Sequence, residues 1–243
     1  MANPASNASP PRVPKYELHL PSADDVVRVL AAADERDPDF GCFLRLAVVT
    51  GARRGELCAL RWRDLDSGTV HIARAVVGSR TDSLVEKDTK THATRRIALD
   101  SVTLEALDAH RDRCSERATS CDATLDPSAF LFSGSADGAI PWRPGRVTLA
   151  FVRLCEELKI DGVRLHDLRH FAATQLLAVG VPVKTVSGRL GHADAATTLN
   201  VYAHFLESSD EEAANALANI LDTPTAPTSG GSAQRKGIRR GRQ

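Results

Sequence analysis

The residues best suited to chemistry lie between positions 166 and 202 of this 243-residue chain. His166 and Arg169 are three positions apart, so they share one face of a helix and can converge on a single group. Arginine presents a rigid fork of donors that matches phosphate oxygens, and histidine adds a donor whose charge is adjustable near neutral pH. His192 follows in Leu190-Gly191-His192, and Tyr202 comes later. This pattern predicts a phosphate site with a tyrosine nucleophile nearby.

A second group of candidates lies in the first half of the chain. Arg53 follows Thr50-Gly51-Ala52 at the start of a predicted helix, where an exposed N-terminus offers backbone donors and a favourable dipole to an anion. An ordinary capping arginine is the alternative. Glu56 shares the helical face of Arg53, and we expect it to orient the guanidinium or a neighbouring helix rather than touch substrate.

Three further cationic residues lie just before or within the predicted third strand. Lys90 lies in the polar turn Asp88-Thr89-Lys90-Thr91, which can present its ammonium at a reachable place; taken alone, it is a solvated turn lysine. Arg95 and Arg96 follow this turn and suit contacts with the phosphates of a DNA backbone, although we expect one of the two to face water.

The composition indicates a helix-rich globular chain. Apolar residues make up 42% of it, mostly Ala, Leu and Val, and aromatic residues only 5%. No run approaches the roughly 20 apolar residues of a membrane helix, and the first residues do not resemble a signal peptide, so we expect a cytoplasmic protein. Five cysteines without close pairs argue against a disulfide framework or a zinc site.

The charge balance argues weakly against a nucleic-acid binder, because 31 basic and 31 acidic residues leave no net charge. The residues from Pro224 onward hold five basic and no acidic side chains, so the rest of the chain sums to 0 − 5 = −5. Positive charge must therefore be concentrated locally. In this tail Arg239 and Arg240 are candidates for contact with a DNA backbone, with a solvated terminus as an equal alternative.

Helices and strands must position these side chains. The spacing of the apolar residues predicts that most of these elements are helices. Short β-rich stretches at 68–76, 83–86 and 94–99 predict a three-stranded antiparallel sheet. The predicted fold is α+β and mostly α-helical, with one unit over 16–222, a disordered leader over 1–15 and a disordered basic tail over 223–243. The predicted helices cover 22–34, 39–50, 53–62, 101–117, 146–158, 165–179, 183–190, 195–203 and 208–221.

Five motifs, in this order and spacing, resemble the catalytic domain of the tyrosine recombinases, the phage-integrase family. The resemblance spans about residues 20–221, and five ordered motifs are far more specific than one short pattern. The motifs are Thr50-Gly51-Ala52-Arg53-Arg54-Gly55-Glu56-Leu57, the Lys90-Thr91 turn, His166-Asp167-Leu168-Arg169-His170, Leu190-Gly191-His192, and Thr197-Thr198-Leu199-Asn200-Val201-Tyr202-Ala203-His204.

The resemblance implies site-specific cleavage and rejoining of DNA strands, with integration or excision of a mobile element as the expected use. Tyr202 would attack a phosphorus and become joined to the 3′ phosphate, releasing a 5′ hydroxyl. His166 would help to deprotonate or hydrogen-bond the nucleophile, and Lys90 would protonate the departing oxygen. His170 lies four residues after His166, and we expect it to contribute to helix packing or to contact the catalytic residues rather than the substrate.

Arg53 and Arg169 would clamp the non-bridging oxygens, and His192 would hold the phosphate. Independently of the resemblance, a tyrosine hydroxyl has a pKa of about 10 and needs a base or positive surroundings to react at neutral pH. The same cations can stabilise charge in the transition state, so we expect no metal and no other cofactor. Neither clustered carboxylates nor a phosphate-binding glycine loop is present in the sequence, and ATP use is not indicated.

The chain departs from the family at its N-terminus. Members usually carry a helical DNA-binding domain of about 100 residues there, and residues 1–20 are too few to form one. We therefore expect a fragment, or a chain that acts with a separate core-binding domain or accessory protein. The expected partners are double-stranded DNA and further copies of the chain, as a tetramer on DNA, with the 208–221 segment docking in cis or in trans. A type IB topoisomerase-like enzyme and a DNA-binding regulator that evolved from a recombinase stay open as alternatives.

Overall fold

Eight α-helices lie within the part of the chain that the computed structural model describes, which is residues 20–78, 84–88, 94–192, 194–202, 215, 217, 218 and 221. The helices are α1 (Ala23–Arg36), α2 (Pro38–Thr50), α3 (Arg54–Cys58), α4 (Ser101–Ser120), α5 (Pro144–Glu157), α6 (Asp167–Ala178), α7 (Val183–Leu190) and α8 (Ala195–Tyr202). The prediction of a mostly helical α+β fold is confirmed. Within these residues no helix is long and apolar enough to cross a lipid bilayer.

Helix α2 is the centre of the core, because it contacts α1, α4 and α6. It begins after Asp37, whose carboxylate accepts from the first free N–H groups, and Pro38 fits the first helical position. It ends at Gly51 in the left-handed conformation, with φ of +61°. Phe43 on its buried face meets Phe132 edge to face, with the ring centroids 5.0 Å apart, and contacts Trp142. Trp142 is partly buried and packs against this core.

A buried ionic contact fastens α4 to α2. Both ring nitrogens of His110 face acceptors, with Nδ1 2.8 Å from Oδ1 of Asp39 and Nε2 2.7 Å from the Leu131 carbonyl oxygen. Burial has the largest effect and lowers the pKa of His110, but the contacts with Asp39, Cys114 and the Leu131 carbonyl together outweigh it, and the pKa rises to about 9. At neutral pH this contact is therefore an ion pair.

The strands form two antiparallel groups. A three-stranded sheet has the order β1-β2-β5, and β3 pairs with β4 separately. Val70 and Ile72 of β2 and Ile97 of β5 point into the core, as the alternating pattern requires. The strands are β1 (Leu65–Asp66), β2 (Thr69–Ile72), β3 (Arg74–Gly78), β4 (Leu84–Asp88) and β5 (Arg95–Ala98).

The small antiparallel sheet was predicted, but its membership differs. The single strand predicted over 68–76 changes partner at Ala73, so that β2 pairs with β5 while β3 pairs with β4. The guanidinium of Arg74 explains the change, because it reaches Asp64 at 2.6 Å and Glu86 of β4 at 2.9 Å and so draws β3 towards β4. The two-residue strand β1 is too short to show an alternating pattern in the sequence.

Helix α3 is shorter than the predicted 53–62. Beyond its last residue the backbone bonds to another segment, since the N–H of Leu131 donates to the Leu60 carbonyl at 2.7 Å, and the chain continues as the 3-10 turn Trp62–Asp64. Residues 215, 217, 218 and 221 are helical and belong to a second unit, Leu206–Gln243, within which Leu217 and Leu221 are exposed. The predicted leader and the predicted basic tail lie outside the described residues.

Candidate active site

Gly51 is the point at which three elements of the site meet. Arg169, in the first turn of α6, is buried, and its Nη1 donates to the Gly51 carbonyl at 2.5 Å. A Cβ at position 51 would lie 2.6 Å from a side-chain carbon of Leu190 in α7, so only glycine fits this contact and the positive φ. The end of α2, the start of α6 and the end of α7 are thereby fixed against one another.

Arg53 is held at the entrance of α3 by Glu56. Its guanidinium donates to Oε1 of Glu56 at 3.0 Å, and its backbone N–H donates to Oε2 at 2.9 Å. Burial would raise the pKa of Glu56, but the hydrogen bond and charge of Arg95, together with Arg53, lower it. Glu56 is therefore a carboxylate bonded to both the backbone and the guanidinium of Arg53, and its orienting role stays a prediction.

His166 stands immediately before α6 and faces Arg53. Both residues line one cavity of about 440 Å³, together with Arg164. Arg164 is bound to the buried Asp167 by its backbone N–H and its guanidinium, each at 2.8 Å, which fixes the start of α6. Burial and then the charge of Arg169 lower the pKa of His166, so its ring is neutral and can accept a proton at neutral pH. His170 meets this ring edge-on, with the centroids 4.9 Å apart.

His192 follows the end of α7, where Gly191 has φ of +69° and turns the chain. Burial first, then the charges of Arg169 and Arg53, lower the pKa of His192 to about 4. The ring is therefore neutral at pH 7. Its Nδ1 lies 2.8 Å from the hydroxyl of Thr198 in α8, and this threonine is fully buried. The contact joins the histidine to the helix that ends at Tyr202.

Two arginines and two neutral histidines thus form one electropositive site. They are Arg53, Arg169, His166 and His192. Such a set can bind the two non-bridging oxygens of a phosphodiester and leave a histidine nitrogen available to a nucleophile. Among the described residues, no group of three His, Cys, Asp or Glu side chains could hold a metal ion.

Residues 22–209 match the model of the phage integrase family. The chain belongs to the phage integrase family. The resemblance drawn from the five motifs is confirmed by this match, which covers most of the chain.

Two similar curated proteins are named as a tyrosine recombinase and an integrase. The chain is 30% identical to a tyrosine recombinase XerC of Xanthomonas axonopodis pv. citri over 84% of its own length and 59% of the relative's. It is 22% identical to the ICEBs1 integrase of Bacillus subtilis over 90% of its own length and 59% of that protein's. The chain therefore spans somewhat more than half the length of these two relatives.

Solved structures share the fold. The Tn1549 transposon integrase in complex with transposon right end DNA superposes with a TM-score of 0.70 at 19% identity, over 84% of this chain and 67% of that one. The XerA recombinase superposes with a TM-score of 0.59 at 22% identity, over 89% of this chain and 68% of that one. The mostly helical architecture is thus shared with these two structures.

Four of the residues predicted for the site are brought together: Arg53, His166, Arg169 and His192. Tyr202 ends α8, one helical turn after Thr198, and its side chain is outside the described part of the chain. Lys90, Arg239 and Arg240 also lie outside the described residues.

The structure contradicts the predicted DNA contact of Arg95. Its side chain is only 8% exposed and bonds to Glu56 and to the backbone of α7, because β5 lies beside α7 and directs this residue inward. Arg96 points to the other face of β5, is 63% exposed and forms a surface pair with Asp66 at 3.3 Å. A backbone phosphate contact by Arg96 stays a prediction.

Two residues with clear roles were not found from the sequence. Arg189 donates from Nε and Nη2 to the Val49 carbonyl, at 3.1 and 2.7 Å, and so satisfies the C-terminal end of α2. Thr198 orients His192 through its hydroxyl. Only the neighbouring motif residues signal them, because the Arg189 contact joins segments distant in the sequence and the Thr198 contact depends on how α8 packs beside the end of α7.

Proposed function

We propose that this chain supplies the catalytic centre of a site-specific DNA recombinase that works through a covalent 3′-phosphotyrosine. The observation that carries the proposal is the convergence of Arg53 and Arg169 around two histidines whose pKa is lowered. A phosphodiester is the ligand that this set of donors suits, and membership of the phage integrase family makes DNA its source.

The two arginines act on the phosphate. Arg169 is fixed by Gly51 and Arg53 by Glu56, so neither guanidinium has to reorganise when negative charge grows on the non-bridging oxygens. Preorganised donors of this kind contribute roughly 2.7–4 kcal/mol each to stabilising a transition state. His192 adds a neutral N–H donor to the same oxygens.

Bond making and bond breaking are assigned to three residues. The phenol oxygen of Tyr202 bonds to phosphorus as its proton passes to the neutral ring of His166, and the bond from phosphorus to the 5′ oxygen breaks. Lys90 gives its proton to that oxygen. One phosphodiester replaces another, so attack by a new 5′ hydroxyl reverses the step without external fuel.

The remaining parts of the proposal concern partners and location. Integration or excision of a mobile element is the proposed use, in the cytoplasm, with copies of the chain assembled as a tetramer on double-stranded DNA. Among the matched structures, the Tn1549 transposon integrase is bound to transposon right end DNA, and the XerH site-specific recombinase is bound to difH substrate. We further propose a catalytic unit over 16–222 and backbone contacts by Arg239 and Arg240 of the tail.

The test is covalent trapping. The chain is incubated with duplexes of randomised sequence that carry a nick, so that the short strand with the new 5′ hydroxyl diffuses away after cleavage. We expect a protein–DNA adduct that survives detergent, and no adduct with Tyr202→Phe, which should retain non-covalent binding. An adduct that persists in Tyr202→Phe would refute the nucleophile, and binding without any adduct would favour a DNA-binding regulator.

A further inference from the structure

Arg95 occupies the space between two parts of the site. Its Nη2 donates to Oε2 of Glu56 at 2.5 Å, and its Nε donates to the Arg189 carbonyl at the end of α7 at 2.9 Å. A Cβ at Gly191 would lie 2.8 Å from Nη1, so the guanidinium packs directly on the backbone beside His192. One side chain therefore contacts the residue that orients Arg53 and the turn that carries His192.

We propose that Arg95 is a positioning residue that sets the relative placement of Arg53 and His192 for the recombination reaction; this rests on the function proposed above. The planar fork of arginine suits the task, because its donors point in fixed directions and can hold a carboxylate and a carbonyl at once. A lysine has one ammonium on a flexible stem and cannot reproduce this geometry.

The charge balance gives Arg95 a second effect. Glu56 is 1% exposed, and its single negative charge is shared by Arg53 and Arg95. If Arg95 were absent, the whole charge of this buried carboxylate would act on Arg53 and compete with the phosphate for its guanidinium. Arg95 thus leaves Arg53 with positive charge to use on the substrate.

The experiment compares Arg95→Lys with the matched control Arg28→Lys in the full chain, because Arg28 is an exposed arginine of α1 paired with Asp25 at 3.1 Å. With the nicked duplexes, we expect the single-turnover rate at saturating protein to fall roughly 10- to 100-fold for Arg95→Lys, because small displacements of catalytic groups have effects of this size. The protein concentration at half-saturation should change less than twofold, since a buried side chain does not touch DNA. Arg28→Lys should keep the wild-type rate.

A methylphosphonate at the mapped cleavage position separates positioning from general destabilisation. This linkage lacks one non-bridging negative charge and needs the arginines less, so the defect of Arg95→Lys should shrink on it. An equal defect on both linkages would overturn the proposal. A weakened half-saturation with an unchanged saturating rate would also overturn it, because that result marks a direct DNA contact.

A spectroscopic measurement keeps the inference testable if the chain forms no adduct, which would refute the proposed function alone. In ¹⁵N-labelled protein, Arg95→Lys should shift the Nε–H signal of Arg53 and the ring signals of His192, and Arg28→Lys should shift neither. Arg95→Gln, a second variant in case Arg95→Lys does not fold, should shift the same two sets of signals. Unshifted Arg53 signals in the folded Arg95 variant would overturn the proposal.

Discussion

Thr198 offers the most discriminating substitution, because its hydroxyl is the described contact between His192 and the helix that ends at Tyr202. The Oγ1 to Nδ1 distance is 2.8 Å, and the threonine is fully buried. With a pKa of about 4, the ring is neutral at pH 7 and carries one hydrogen. A hydroxyl that donates to Nδ1 places this hydrogen on Nε2, where it can be donated to a phosphate oxygen.

Thr198→Val keeps the branched shape and removes the hydroxyl. A buried acceptor left without its donor costs about 1–3 kcal/mol, and 1.4 kcal/mol corresponds to a tenfold change in rate. If the whole cost falls on the transition state, single-turnover adduct formation slows roughly 5- to 150-fold. The neighbour Thr197 is exposed, so Thr197→Val is the matched control, and we expect it to react like the wild type.

Thr198→Ser retains a hydroxyl at this position and should recover most of the lost rate. The ¹⁵N shifts of the His192 ring should report an Nε2–H tautomer in the wild type and a mixture of tautomers in Thr198→Val. If Thr198→Val reacts as fast as Thr197→Val, the hydrogen bond does not orient His192 for catalysis and the reasoning fails.

Three other predictions concern different parts of the chain. Lys90→Ala should slow cleavage at an ordinary 5′ oxygen yet spare a 5′-phosphorothiolate, whose sulfur leaves without a proton; equal slowing would exclude a general acid. Because the pKa of His110 is raised to about 9, its contribution to stability is complete below pH 6.5 and is lost as the pH rises through 9. The unfolding free energy of the wild type should therefore exceed that of His110→Gln by up to about 3 kcal/mol at pH 6, and urea titrations should show this difference shrinking by pH 9.5; a constant difference would contradict the ion pair with Asp39. Replacing Arg239 and Arg240 by Ala should flatten the dependence of DNA affinity on salt, and an unchanged slope would mean that neither contacts phosphate.

Local sequence signals predicted most of the fold. Ser22 and Gly51 mark helix ends through their own backbone and capping chemistry, and the structure places helix boundaries at these residues. The ends of α3 and of the strand over 68–76 were missed, because a distant segment and a cross-strand ion pair decide them. Propensity and periodicity carry no information about such partners.

In the candidate site, too, local spacing predicted some features, and tertiary packing decided others. Motif spacing selected the four side chains that converge, since the spacing of His166 and Arg169 follows directly from helix geometry. Arg95 was assigned to DNA because an arginine after a turn is usually exposed. Its burial depends on the packing of β5 against α7, which no pattern within the strand reveals.

The most direct test of the central claim is to identify the residue and the linkage in the trapped adduct. The protein–DNA complex is digested with nuclease and protease, and the remaining peptide with its nucleotide is sequenced by mass spectrometry. We predict a nucleotide joined through its 3′ phosphate to Tyr202. A nucleotide on another residue, or one attached through a 5′ phosphate, would contradict the proposed catalytic centre.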